Sequence, residues 1–313
     1  MAKEIKGYGI ADAAKSKLGE KASGSFPFTV AGPLELIALC HYYAPALAHY
    51  QVEWLFNKNR FFEVTASDVS VLHDSFNRDG IKLANHITID EQLSVSDVVR
   101  AQIDFAYKSP QYKNQIIYGD ATAFENNAKK ILIDGYDAKF AISGAENIVV
   151  VGEVRDGATC ASLGHSNTIV TNTDMSAIAA SGGSNCIINS GRFSRLSASG
   201  VISKLVSDAT DTAFAVSGDY GTVDSFGLNA KIAISGDKTN CNALGENNVI
   251  AIVGRHGHFS GKTGTHVCVA KYDQHGKCIG FVTGEIGKNG LKENVTYTTL
   301  DGQFVELAEE AAE

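Results

Sequence analysis

Apolar residues recur with a period of nine along the middle of this chain, from about residue 127 to residue 262. Nonads in register include Tyr136–Gly144, Asp174–Gly182, Arg192–Gly200, Thr210–Gly218, Leu228–Gly236 and Glu246–Gly254. Their fifth position holds Ile131, Phe140, Val149, Cys160, Ile169, Ile178, Ile187, Leu196, Leu205, Phe214, Val223, Ile232, Cys241 and Ile250. Positions 3 and 7 are mostly small or apolar, and strand side chains alternate, so positions 3, 5 and 7 share one side of an extended segment. The ninth position is usually Gly, which turns a chain with positive φ at low steric cost. One nonad predicts one strand and one corner.

A longer period lies on top. Ala180, Ala198, Val216, Ile234 and Ile252 hold position 7 of alternate nonads, and Thr171, Asn189, Ser207, Ser225 and Ala243 hold it in the nonads between. This alternation predicts two unlike faces and a coil of two nonads, the mark of a stacked-coil architecture. At 4.7–4.9 Å between strands, roughly seven coils make a rod on the order of 35 Å long. The register slips at Ala145–Arg155, where a bulged loop is expected.

The flanks carry other periods. Pro33–Tyr50 reads as helical, and Arg60–Val71 and Ile81–Ile89 alternate like strands. Ser94–Tyr107 reads as an amphipathic helix capped by Ser94 or Ser96, with Val98, Ala101 and Phe105 inward and a stop at Ser109-Pro110. Thr265–Tyr272 and Lys277–Gly284 flank a turn at Asp273–Gly276, and Asn294–Thr299 and Gln303–Leu307 flank Asp301-Gly302, giving two hairpins. An open stack of strands leaves backbone groups unpaired at both ends, so the flanks read as covers. The expected fold is mostly β: a parallel β-solenoid over 121–262, with nine residues per strand and corner and 18 per coil. An α+β domain over 1–120 caps it at one end, and a β-hairpin unit with a tail over 263–313 caps it at the other.

Composition sharpens this picture. The chain has 31 Gly against 4 Pro, which fits a turn-rich β protein. Net charge is −8, carried by the two ends while the repeat stays near neutral, which disfavours a nucleic-acid partner. No apolar run has the length of a membrane span and no secretory pattern opens the chain, so a soluble, non-secreted protein is expected. Cys160, Cys186 and Cys241 lie at or beside inward positions and read as small hydrophobes. Cys268 and Cys278 could face each other across the first hairpin, as a reduced pair.

Candidate chemistry is sparse. Calcium-binding nonapeptide rolls need an Asp that this repeat lacks. Gly261-Lys262-Thr263 resembles the end of a phosphate loop, but the first Gly of that motif falls on His256 and no helix follows. His256, His258, His266 and Cys268 are the metal candidates, without a C-x-x-C or helical His pair to support them. Asp208, Asp211, Asp219 and Asp224 could imitate a two-carboxylate glycosidase site. Phe193 and Tyr220 are candidate binding aromatics, and His41, Tyr43 and Trp54 a candidate ligand seat in the N-terminal domain. No cofactor is expected.

Four stretches carry a family resemblance. Gly280–Leu307 (GFVTGEIGKNGLKENVTYTTLDGQFVEL), Phe61–Tyr107, Gly32–Glu35 and the repeat unit Gly218–Val223 are similar to phage and prophage proteins that join a small N-terminal domain, a glycine-rich β-solenoid and a short β cap. The chain departs from that family near residues 20–45, where His41 does not fall in the family's Cys-x-x-Gly-Phe-His motif. The resemblance implies a phage or prophage origin, and a place in a bacterial cytoplasm or a virion. It brings no activity. The expected function is therefore non-enzymatic: docking on a host or phage macromolecule, foremost a protein, in host takeover or counter-defence, with self-association open to a lateral face. The alternatives are a virion-associated carbohydrate-binding or polysaccharide-active solenoid, and a small-ligand trap in the N-terminal domain.

Overall fold

The computed structural model describes residues 5–12, 21–30, 59–71, 82–110, 112–118, 121–125, 127 and 129–307. The chain divides into two compact units, Met1–Ser109 and Pro110–Glu313.

In the first unit, β1 (Ile5–Asp12), β2 (Lys21–Val30), β3 (Asn59–Val71) and β4 (Lys82–Leu93) form an antiparallel sheet in the order β1-β3-β4-β2. The two expected strands are β3 and β4. Strands β1 and β2 were not anticipated, because Gly7, Gly9 and Gly24 interrupt their alternation. The helix expected at Pro33–Tyr50 lies outside the described residues, as do His41, Tyr43 and Trp54.

Helix α1 (Val95–Lys108) starts at Ser94, whose hydroxyl accepts from the Asp97 N–H while the Asp97 carboxylate accepts from the Ser94 N–H. The Ser94 hydroxyl, 2.6 Å from the Asp97 carboxylate, and then the Ser94 N–H hold that carboxyl below the usual carboxylate range. The buried stripe is Val95, Val98, Val99, Gln102, Ile103 and Ala106. Ala101 and Phe105, expected inward with Val98, are only half-buried. Both stripes obey helical spacing; the one richer in Val and Ile is the one buried.

The second unit is a parallel β-solenoid of about 8 turns of 18 residues. Its first strands are β5 (Lys113–Tyr118), β6 (Ala121–Glu125), β7 (Lys130–Ser143) and β8 (Ile148–Leu163). Short strands then alternate between two faces. One face holds β9 (Thr168–Thr171), β11 (Cys186–Asn189), β13 (Lys204–Ser207), β15 (Thr222–Ser225), β17 (Asn240–Ala243) and β19 (His258–Gly261). The other holds β10 (Ala177–Ser181), β12 (Arg195–Ala198), β14 (Ala213–Val216), β16 (Lys231–Ile234) and β18 (Val249–Ile252). Each strand pairs in parallel with the strand one coil away, as in Leu196↔Phe214 and Leu205↔Val223. Every fifth-position residue named above points inward, and none is more than 5% exposed.

The register slip is not a loop. Strand β8 runs unbroken against β7, and its two extra residues are absorbed by two register shifts, opposite Ile133/Gly135 and Tyr136/Ala138. A bulge keeps the flanking backbone groups paired, which a loop would not.

The corners work differently from expectation. Most ninth-position glycines after Gly182 do not have positive φ; position 2 does instead, at Met175, Ser184, Phe193, Ile202, Asp211, Tyr220, Asn229, Lys238, Asn247 and His256. Its N–H reaches the next coil, as in Ile202 N–H to Asp219 C=O at 2.9 Å. The polar residue at position 3 closes the turn: Ser194 Oγ donates to Gly191 C=O at 2.9 Å, and Asn248 Nδ2 to Gly245 C=O at 2.9 Å. The ninth-position Gly serves close approach, since a Cβ on Gly218 would lie 2.1 Å from the Gly200 carbonyl oxygen.

Left-handed backbone is costly for a β-branched side chain. Ile202, at φ 57, is such a residue and is 48% exposed. Ile202→Asn, the residue type the chain itself uses at Asn229 and Asn247, is expected to stabilise by about 1 kcal/mol, a Tm rise on the order of 2–4 °C. Calorimetry checks this; a lower Tm would show that the exposed Ile side chain contributes more than its backbone costs.

Two hairpins follow, as the turn signals predicted. β20 (His266–Tyr272) pairs with β21 (Cys278–Glu285), and β22 (Tyr297–Leu300) with β23 (Gln303–Glu306) across Asp301-Gly302, both at positive φ. Tyr297 and Phe304 close the end of the core on Phe259, with ring centroids 5.8 and 5.2 Å away.

Candidate functional site

The two solenoid faces differ on their outer sides. In β11, β13 and β15 all four residues are buried, including the outward Cys186, Ile188, Lys204, Val206, Thr222 and Asp224. A polar row crosses this face: Lys204 Nζ lies 2.9 Å from the Asp224 carboxylate, Asn242 Nδ2 donates to Asp224 at 2.8 Å, and Ser260 Oγ donates to Asn242 at 3.0 Å. The signal was present in the sequence. Val170, Ile188 and Val206 make alternate nonads apolar on both sides, as in a parallel strand covered on both faces.

The other face is open. Its outer position 6 is a column of Ala161, Ala179, Ser197, Ala215, Ala233 and Ala251, beside Ser181, Ser199, Ser217 and Ser235. Together they line a shallow trench of about 410 Å³, with exposed Leu163 near one end and Val253 at the other. Arg195 and Lys231 are the charged side chains of β10, β12, β14, β16 and β18. Because the side chains are small, a partner can approach the sheet closely and bury backbone as well as methyl groups.

The sequence candidates disperse. Phe193 and Tyr220 are 59% and 53% exposed, but they sit at position 2 of opposite corners and form no common platform. Tyr220 instead lies under Lys238, whose Nζ is 5.3 Å from the ring centroid and 3.1 Å from the hydroxyl. Asp224 is buried with Lys204, and Asp219 accepts from the Asp237 N–H at 2.8 Å, while Asp208 and Asp211 lie on the opposite corner between β13 and β14; the four aspartates do not gather at one place.

His258 lies on β19 and His266 and Cys268 on β20, while His256 occupies an exposed corner. Among the described residues, no three His, Cys, Asp or Glu side chains are placed to hold a metal ion. Burial, and then the charge of His256, pull the His258 imidazole below its usual value. Cys268 pairs opposite Thr283 and Cys278 opposite Tyr272, so these two cysteines do not face each other, contrary to expectation; the tight turn after Tyr272 sets a register that places Cys278 beside the turn, five residues from the partner of Cys268. Burial pushes the Cys186 thiol up to about 12 and raises Cys160 and Cys241 as well. Gly261-Lys262-Thr263 joins β19 to β20, with no helix after it, and Glu293 accepts from the Thr263 hydroxyl at 3.2 Å. Among the described residues no helix is long and apolar enough to cross a membrane.

Among the described residues the arrangement offers a flat, laddered surface. No family model, curated protein or solved structure matches the chain.

Proposed function

We propose that this is a non-enzymatic binding protein of phage or prophage origin, which docks on another protein through the open face of its solenoid. The supporting observation is that one face is buried on its outer side while the other presents a regular, nearly uncharged Ala and Ser surface. A surface with so few cations suits a protein better than a nucleic-acid backbone. Small side chains on a flat sheet suit a partner that lays down its own sheet or helix. The resemblance of Gly280–Leu307 to phage and prophage proteins supports an action in the bacterial cytoplasm or the virion, in host takeover or counter-defence.

The test is a paired affinity purification from phage-infected bacteria. Wild type is compared with Ala215→Arg/Ala233→Glu, two exposed positions of the trench. A partner retained by wild type and reduced at least about tenfold in the variant, at unchanged Tm, is the expected result. Equal retention by both would end the reading.

A further inference from the structure

The C-terminal hairpins and the last corner frame a second pocket, of about 710 Å³, just beyond the Val253 end of the open face. Three tight segments frame it: Gly254–His256, the turn at Asp273–Gly276, and Leu300–Gly302. Its apolar lining comes from Ala270, Tyr272, Ile279 and Leu300, and the last two are each 60% exposed. Such a volume lies within the roughly 300–1,000 Å³ of small-molecule sites.

Two cations are set into this pocket. The Arg255 guanidinium lies 5.8 Å from the Tyr272 ring centroid and its Nε is 3.6 Å from Asp237. A Cβ on Gly276 would come within 3.1 Å of that guanidinium, so the glycine leaves it room across the turn. Lys271 is half-buried, and its ammonium has no hydrogen-bond or ion-pair partner among the described residues. Its stem passes over Gly302, where a Cβ would lie 3.0 Å from Cδ. Of the two acids in the lining, Asp273 accepts from the His275 and Lys277 N–H groups, both at 2.9 Å, and so serves its own turn. Asp301 is exposed on the outer hairpin turn. A half-buried ammonium beside apolar walls, with no carboxylate paired to it, gains from an anionic ligand.

We propose that this pocket binds an amphiphilic organic anion. Lys271 and Arg255 hold a carboxylate or phosphate-monoester head, and an alkyl or aryl body rests on Ile279 and Leu300. The site does not depend on the open face, so either can fail alone.

Calorimetric titration of the full chain tests it, with octanoate and octyl phosphate below their micelle concentrations. Acetate supplies the head alone and 1-octanol the body alone. Saturable binding of at least one amphiphile is expected, with both controls at least about tenfold weaker, because each lacks either a charge-assisted contact or the apolar burial. The preferred head separates the carboxylate from the phosphate source. Lys271→Met and Arg255→Met should each weaken binding about tenfold. No saturation by either amphiphile overturns the proposal. So does unchanged affinity in the Lys271→Met/Arg255→Met double variant at wild-type Tm, which would move the amphiphile to the open face. Should the double variant melt early, Lys271→Gln alone gives the same decision.

Discussion

Gly200→Ala is expected to destabilise the solenoid by at least about 3 kcal/mol, among the larger effects a single methyl group can have. A Cβ at Gly200 would sit 1.6 Å from the Gly182 carbonyl oxygen, 2.2 Å from its carbon and 2.9 Å from its nitrogen. These are backbone atoms of the adjacent coil, so no side chain can rotate out of the way. Moving the coils apart would stretch ladder bonds such as Ser199 N–H to Ala180 C=O at 3.0 Å, and tight cores give little. Gly264 is the control. Its φ is +88 and a Cβ there meets nothing within 4 Å, so Gly264→Ala carries only the left-handed backbone cost of about 1–2 kcal/mol. Denaturant unfolding of both variants decides the matter: equal losses would mean that the adjacent coil yields to the added methyl group and that close approach is not what holds glycine at the ninth position.

Lys204→Met is expected to cost about 3–5 kcal/mol, because it leaves a charge buried without its counter-ion. The Asp224 side chain is 1% exposed and its salt bridge to Lys204 spans 2.9 Å. Without the ammonium, Asn242 Nδ2 at 2.8 Å is the side-chain donor left to that carboxylate. Lys204→Met/Asp224→Asn removes both charges and keeps an acceptor for Asn242, so it should recover most of the loss, with a coupling on the order of 2 kcal/mol or more. Simple addition of the two single losses would show that the pair is solvated despite its burial, and that this face opens to water.

Several features were legible in residue order alone. The nine-residue spacing placed the inward residues from Ile131 to Ile250, all now buried. A helix cap was identifiable at Ser94 or Ser96, of which Ser94 is the one used, and Asp273–Gly276 and Asp301-Gly302 were identifiable as hairpin turns. These signals are local: a period, a hydroxyl before a helix, a residue pair tolerant of positive φ. The trench column was also legible as Ala and Ser at position 6, but nothing in its composition told the open face from the buried one. The outward apolar residues of alternate nonads did carry that hint.

What the sequence by itself determined is therefore the winding: strands and corners every nine residues, two hairpins at the end, and a core on one side of each strand. Only the tertiary structure decided which outer face stays open, why the ninth position is usually Gly, and which residue takes the left-handed turn. Position 2 holds Met, Ser, Phe, Ile, Asp, Tyr, Asn, Lys and His without a common preference, because its conformation is imposed by a hydrogen bond to the next coil. The pocket at Lys271 and Arg255 belongs to the same class. Its walls come from segments far apart in residue order, and their meeting depends on how the last coil and the two hairpins stack.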